Sequence, residues 1–212
     1  LVANGYRLAF AEAACLASEE LATRWLTPEL LQQAPAGRRR NDWIAARVLL
    51  AQLLDNGPLP CLEKTAQGKP WHPALPAFNI SNSGSGVAVL VGDGNVGCDL
   101  EQIRPRARFM AIARHSFAAH LCEWLAALPQ CEQIPQFWRL WTAHEAVLKQ
   151  RGGTVWQMSQ LDLPLHTLCP PDRYLQHVTV GDWLIACCGE QPFAPGFTPV
   201  PSVAAVSGPH QR

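Results

Sequence analysis

Three acidic residues and one lysine stand at spacings that suit work on a phosphate. The segment Val96-Gly97-Cys98-Asp99-Leu100-Glu101 has the pattern of a strand. Side chains alternate across a strand, so Asp99 and Glu101 share one face while Cys98 and Leu100 share the other. Neighbouring carboxylates are either a solvated strand face or a site for a cation, and oxygen donors suit a hard ion such as Mg²⁺. A third carboxylate, Glu145, falls inside the apolar stripe Ile134, Phe137, Trp138, Trp141 and Leu148 of a helix predicted over Ile134 to Arg151. A carboxylate on a buried face needs a partner or a metal. Lys149 offers it an i,i+4 ion pair, or else serves to neutralise a phosphate.

Weaker candidates surround this group. Phe78-Asn79-Ile80-Ser81-Asn82-Ser83-Gly84-Ser85-Gly86 reads as a strand running into a small polar loop whose hydroxyl, amide and backbone donors can hold a phosphate, or make an ordinary turn. Arg47 and Lys69 are either phosphate contacts or surface charges. Gly92-Asp93-Gly94-Asn95-Val96-Gly97 matches G-x-G-x-x-G, yet a strand follows it rather than the helix whose N-terminus must meet a pyrophosphate. Those glycines are expected to serve a hairpin turn with positive φ.

The elements that must position these residues run helix then strands, twice. A strand around Tyr6 to Phe10 leads into a polar, Pro-punctuated region ending in Arg38-Arg39-Arg40. A helix capped by Asn41 or Asp42 then continues to Asn56-Gly57-Pro58. After a loop-rich stretch from Gly57 to Pro76 come strands at Phe78 to Ser81, Val87 to Val91 and Val96 to Glu101, the last two expected to pair as a hairpin through Gly92 to Asn95. Two helices fill most of Phe109 to Arg151, parted near Pro129. Strands at Tyr174 to Val180 and Trp183 to Cys188 flank a Gly181-Asp182 turn. A faint W-x-A-x-charge-x-x-L repeat relates Trp43 to Leu50 with Trp141 to Leu148, either by chance or because Arg47 and Glu145 are equivalent positions facing one cleft. The fold class expected is α+β, in two similar lobes of helix plus antiparallel strands with the active site between them: residues 1–95, residues 96–190, and a Pro-rich tail over 191–212.

Composition narrows the function. With 17 Lys+Arg against 17 Asp+Glu the net charge is zero, which argues against a protein that grips nucleic acid by bulk positive charge. The uncharged stretch Gln191 to Gln211 holds Pro192, Pro195, Pro199, Pro201 and Pro209, so no helix spans a membrane there. Cysteines without a C-x-x-C pair are expected to be reduced thiols in a cytoplasmic protein. The opening residues lack the basic and apolar regions of a secretory signal, and a start at Leu1 rather than Met leaves the true N-terminus open.

Taken together, Gly68-Lys69-Pro70, the Phe78 to Gly84 segment, Gly97-Cys98-Asp99-Leu100-Glu101 and the run Phe137 to Lys149 resemble, in order and spacing, the motifs of the 4'-phosphopantetheinyl transferase superfamily. Ile103-Arg104-Pro105-Arg106-Ala107 and Lys149-Gln150-Arg151-Gly152-Gly153 resemble its AcpT-like branch of holo-acyl-carrier-protein synthases. The resemblance implies a monomeric, pseudo-twofold fold that holds coenzyme A and Mg²⁺ between its halves and moves the phosphopantetheine arm to a serine of an apo acyl carrier protein. It implies Asp99, Glu101 and Glu145 at the metal, Glu145 and Lys149 as catalytic groups, and Arg47, Lys69, Asn82 and Ser83 on coenzyme A. Two positions depart from the motif: Asn82 replaces a histidine and His144 a lysine, which puts coenzyme A phosphate binding in question. Arg104, Arg106 and Arg108, or the Arg38 to Arg40 triplet, are docking charges for an acidic carrier or a solvated face. Rival readings are a non-catalytic coenzyme A-binding protein and a Mg²⁺-dependent phosphohydrolase or nuclease. Neutral charge and the Glu145-x-x-x-Lys149 spacing count against the last.

Overall fold

The structure is a computed structural model and describes residues 5–201; the start of the chain and residues 202–212 of the expected tail lie outside the described residues. In the first half, β1 (Arg7–Glu12) is followed by short helices α1 (Glu19–Trp25) and α2 (Pro28–Leu31). The long helix α3 (Arg39–Leu54), the two-residue strands β2 (Glu63–Lys64) and β3 (Pro70–Trp71), and strands β4 (Ala77–Ser83) and β5 (Gly86–Gly92) complete it. The second half repeats the order with β6 (Gly97–Gln102), α4 (Phe109–Ser116), α5 (Ala119–Ala127), the long helix α6 (Gln130–Arg151), β7 (Tyr174–Val180) and β8 (Trp183–Gly189). Two three-stranded antiparallel sheets result, ordered β1-β5-β4 and β6-β8-β7. The α+β class expected from the sequence is therefore found.

Apolar patterning dictates how these pieces stack. Val87, Val89 and Val91 of β5 pack with Ile44, Val48 and Leu50 of α3, while Leu184, Ala186 and Cys188 of β8 pack with Phe137, Leu140 and Val147 of α6. The opposite faces meet in a third cluster, where Leu8, Ala88 and Leu90 of the first sheet touch Cys98, Leu100, Ile185 and Cys187 of the second. The layers thus run helix, sheet, sheet, helix. Every residue of the central strands β5 and β8 is buried. That is why both read as unbroken apolar runs, each fully buried Val, Leu or Ile contributing about 1.5 to 3 kcal/mol.

Several expected details are corrected. Strands β5 and β6 are not a hairpin: β5 is the centre of the first sheet, and residues 93–96 carry the chain across to the edge of the second. Gly92, Gly94 and Gly97 do not adopt positive φ, and of the three only Gly97 is pressed on by neighbouring backbone. A Cβ on Gly97 would lie 2.2 Å from the Ala146 carbonyl oxygen and 2.4 Å from the Gln150 nitrogen, so its absence lets α6 lie directly on β6. The Pro-punctuated region contains α1 and α2, capped by Ser18 and Thr27, which accept from the amides of Leu21 and Leu30. Helix α3 starts two residues earlier than Asn41, placing Asp42 in its first turn rather than at the cap. Phe109 to Arg151 holds three helices, not two. The first part of the tail folds back: Phe193 stacks on Tyr6 with centroids 4.0 Å apart, and the Val200 amide donates to the Leu8 carbonyl.

The two sheets meet at their edges through side chains. The Cys98 amide donates to Asn79 Oδ1 (2.8 Å) and the Leu100 amide to Ser81 Oγ (3.0 Å), so β4 side chains satisfy edge amides of β6 that its own ladder leaves open. Asn79, Ser81 and Ser83 alternate along β4 and turn toward this seam.

Gly97→Ala should lower stability by about 2 to 3 kcal/mol, because its contacts are helix backbone that cannot swing aside. Urea unfolding of the two proteins checks this; an unchanged midpoint would show that α6 does not press on β6.

Candidate active site

The seam between β4, β6 and α6 collects most of the residues singled out by the sequence. Asp99 on β6 is 6% exposed. Its Oδ1 accepts from Lys149 Nζ (3.4 Å) and from Ser81 Oγ (3.3 Å), while Oδ2 is buried without a hydrogen-bond partner. Lys149, on the last turn of α6, also donates to the Cys98 carbonyl (3.0 Å). Glu101, two residues along the same strand face, accepts from Ser83 Oγ (2.7 Å) and pairs with Arg104 (3.3 Å). Glu145 is half-buried one helical turn before Lys149, and no 4.0 Å ion pair joins the two among the described residues. The i,i+4 alternative is therefore not made: Lys149 turns instead to β6.

Burial sets the electrostatics. It raises the Asp99 carboxyl to about 7; Lys149 pulls it down, and Glu145 and Glu101 push it further up. Burial also raises Glu145, against the pull of Lys149. For Lys149, burial opposes the charge but Asp99, Cys98 and Glu145 outweigh it, so its pKa is raised. A carboxyl whose folded pKa exceeds its unfolded value contributes most stability below about pH 4 and loses that contribution as the pH climbs through about 7. Asp99 is thus a costly anion in the bare protein, with one oxygen awaiting a partner.

The donor set fits a hard divalent cation in kind: three carboxylates, one with an orphaned buried oxygen. As the side chains stand, no three His, Cys, Asp or Glu residues among the described residues are grouped closely enough to hold one ion. Glu101 is drawn aside by Ser83 and Arg104.

Of the remaining candidates, Ser83 and Lys69 adjoin this cluster, whereas no hydrogen bond joins Asn82 or Arg47 to it among the described residues. Ser83 belongs to β4 rather than a loop and is in direct contact with the cluster through Glu101; Asn82, exposed, points to the opposite strand face, so the polar loop shrinks to Gly84-Ser85. Arg47 on α3 lies over the Trp43 ring at 4.1 Å and donates to the Trp43 carbonyl. Its Nε is buried with no partner, and burial lowers its pKa to about 10. Among the described residues no carboxylate pairs with it. Lys69 Nζ donates to the carbonyls of Val96 (2.6 Å) and Lys149 (3.1 Å). Sequence reasoning passed over Asn79, Ser81 and Gly97 as site-building residues, although the polar alternation in Asn79-Ile80-Ser81-Asn82-Ser83 carries the signal for the first two. It also missed the pocket of about 190 Å³ lined by Glu101, Arg104, Arg106, Trp138 and Trp141, in which Arg104 lies 4.7 Å over the Trp138 ring.

Comparison with known proteins decides the family. The 4'-phosphopantetheinyl transferase AcpT of Escherichia coli (strain K12) is 40% identical over 171 residues, covering 79% of this chain and 85% of that protein. The chain belongs to the 4'-phosphopantetheinyl transferase superfamily. The superfamily's sequence pattern matches residues 95–188, the stretch that carries β6 and α6. AcpT of Salmonella typhimurium is 40% identical over 172 residues (79% of this chain, 86% of that protein). The transferase HetI of a Nostoc species is 29% identical over 162 residues (72% and 66%). The expected resemblance to AcpT-like proteins is borne out.

One departure from the superfamily motif now has a physical account. His144 is fully buried, stacked on Phe117 with centroids 4.5 Å apart, and its Nδ1 bonds the Leu140 carbonyl (2.6 Å). Its ring lies in the second half's apolar core, and its Nε2 is buried without a hydrogen-bond partner.

Burial lowers His144 to about 4, so the folded protein keeps it neutral while the unfolded chain takes up a proton near pH 6.5. Its contribution is fully present above pH 6.5 and is lost as the pH falls toward 4. His144→Phe should therefore reduce the loss of stability between pH 7.5 and pH 5 by about 2 kcal/mol. Urea unfolding at both pH values checks it, and equal slopes for the two proteins would contradict it.

Proposed function

We propose that this protein transfers the 4'-phosphopantetheine arm of coenzyme A to a serine of an apo acyl carrier protein, releasing 3',5'-adenosine bisphosphate, with Mg²⁺ required. The observation that carries the proposal is the buried Asp99 with its unpartnered Oδ2, set beside Lys149 and Glu145 in a member of this superfamily. Residues 1–95 and 96–190 are read as two lobes related by a pseudo-twofold, and 191–212 as a tail. The matching sheet orders and the positions of Trp43 on α3 and Trp141 on α6 support that reading. The setting proposed is a monomer, as the resemblance suggests, in the cytoplasm, as the cysteine usage suggests. Among the described residues no helix is long and apolar enough to cross a membrane.

In the proposed reaction the serine hydroxyl oxygen bonds to the β-phosphorus of coenzyme A, the bond from that phosphorus to the bridging oxygen breaks, and the bisphosphate leaves with the bonding pair. Asp99, Glu101 and Glu145 are the residues to hold Mg²⁺, which when bound stabilises the negative charge that builds on the pyrophosphate. Glu145, its affinity for a proton raised by burial, takes the serine proton directly or through water. Lys149 has two N–H groups engaged by Cys98 and Asp99 and a third free for a phosphate oxygen. Arg47 is the cation best suited to a coenzyme A phosphate, since its buried Nε lacks an anion. Asn82 and Ser83 complete the proposed contacts. Arg104, Arg106 and Arg108 supply positive charge for an acidic carrier, the first two beside Glu101 in one pocket.

Intact mass measurement of an apo carrier incubated with this protein, coenzyme A and Mg²⁺ should show a gain of about 340 Da on its serine. No gain on several acidic carriers, with coenzyme A still bound, would favour the non-catalytic reading. Asp99→Ala and Glu145→Ala should each lower turnover roughly a hundredfold or more, since charge stabilisation of this kind contributes several kcal/mol. Near wild-type rates at saturating Mg²⁺ would remove both assignments. Arg47→Gln should raise KM for coenzyme A about tenfold while leaving kcat within about threefold, as expected when a charged hydrogen bond is lost. Steady-state kinetics in coenzyme A checks this, and an unchanged KM would place the phosphate elsewhere.

A further inference from the structure

The turn that carries Lys69 is closed on itself. Between β2 and β3 the Gly68 amide donates to the Thr65 carbonyl (2.9 Å), the Lys69 amide to Thr65 Oγ1 (3.1 Å), and the Thr65 amide to the Lys69 carbonyl (2.9 Å). Gly68 adopts φ 84°, a conformation that favours glycine at this corner. A turn so constrained presents the Lys69 side chain in one direction, toward the other half of the molecule.

What the side chain meets there is backbone. Its Nζ donates to the Val96 carbonyl at 2.6 Å and to the Lys149 carbonyl at 3.1 Å. Val96 immediately precedes β6. The Lys149 carbonyl lies in the last turn of α6, where it also accepts from the Gly152 amide (3.2 Å) and where a cation is favoured by the helix dipole. Two residues beyond Val96, the Cys98 carbonyl holds Lys149 Nζ, and the next residue is Asp99. Lys69 therefore fixes the main chain at both ends of the Asp99–Lys149 pair. Burial lowers the Lys69 pKa, and the Lys149 charge adds to that effect.

We infer that Lys69 is a positioning residue: it clamps the C-terminal end of α6 to the start of β6 and so sets Lys149 on Asp99, instead of acting as a contact to coenzyme A. Its kinetic consequence rests on the transfer reaction proposed above; its structural consequence does not. Removal of the ammonium leaves two carbonyls without their charge-assisted donor and frees the helix end to shift along the strand.

The test uses the whole protein and three readouts. Hydrogen exchange of Lys69→Met, with neither metal nor coenzyme A, should be about tenfold or more faster than wild type at residues 97–100 and 150–153, with other segments unchanged. Coenzyme A affinity by calorimetry should stay within about threefold, while kcat falls about tenfold or more. Lys69→Arg, which keeps donors on a long stem, should recover part of the protection. Unchanged exchange in both segments, or a coenzyme A dissociation constant raised about tenfold with kcat intact, would overturn the inference in favour of a direct phosphate contact. If Lys69→Met does not fold, Thr65→Val, which loosens the turn and leaves the amine, should give the same local exchange increase, and its absence overturns the clamp equally. If wild-type protein modifies no carrier, the transfer reading fails, and the exchange and calorimetric results decide the clamp alone.

Discussion

Everything at the seam follows from burying the Asp99 carboxylate where α6 lies directly on β6. A charge taken out of water needs compensation, and loss of one member of such a buried pair typically costs about 3 to 5 kcal/mol. Lys149 supplies part of it from the last turn of the helix, and Ser81 supplies a hydroxyl from the neighbouring sheet. The approach itself depends on Gly97, because any Cβ there would strike the backbone of Ala146 and Gln150. The edge amides of β6 depend in turn on Asn79 and Ser81. One unsatisfied oxygen, Asp99 Oδ2, is what this packing leaves over. In the proposed chemistry that residual demand is the useful part of the arrangement.

The rest of the molecule holds two sheets in a fixed relation so that the seam survives. Each sheet has its own helix on its outer face, and the apolar cluster between them joins β1 and β5 of the first to β6 and β8 of the second. In the proposed reaction the residues for phosphate work come from both halves: Asp99, Glu145 and Lys149 from the second, Ser83 and Arg47 from the first. Arg47 and Asp99 are complementary in what they lack. One is a buried cation without an anion, the other a buried anion with an oxygen to spare. In the proposed reaction a coenzyme A phosphate would answer the first and Mg²⁺ the second.

Much of this was legible in the residues. Alternation placed Asp99 and Glu101 on one face of β6, and the Ile134 to Leu148 stripe placed Glu145 on the apolar face of α6. The hairpin at Gly181-Asp182 is found as its turn residues indicate, with Gly181 at φ 59°. The β5–β6 connection was not legible, because a strand pattern tells which face is buried but not which strand lies alongside. For the same reason Gly97 looked like a turn residue when its role is to admit the backbone of α6. Helices α1 and α2 were hidden by their brevity, although Ser18-Glu19-Glu20 and Thr27-Pro28-Glu29 carry the cap chemistry. His144 looked like an altered ligand position; only the packing of Phe117 against α6 shows that its side chain turns into the core.

The most direct measurement of the central constraint is the titration of the Asp99 carboxyl by ¹³C NMR, in metal-free protein and again with Mg²⁺. A desolvated carboxylate with an unpartnered oxygen predicts a midpoint about 7 without metal, falling by roughly two units or more when a cation binds. A midpoint near the ordinary 3.8 in metal-free protein, unmoved by Mg²⁺, would contradict it.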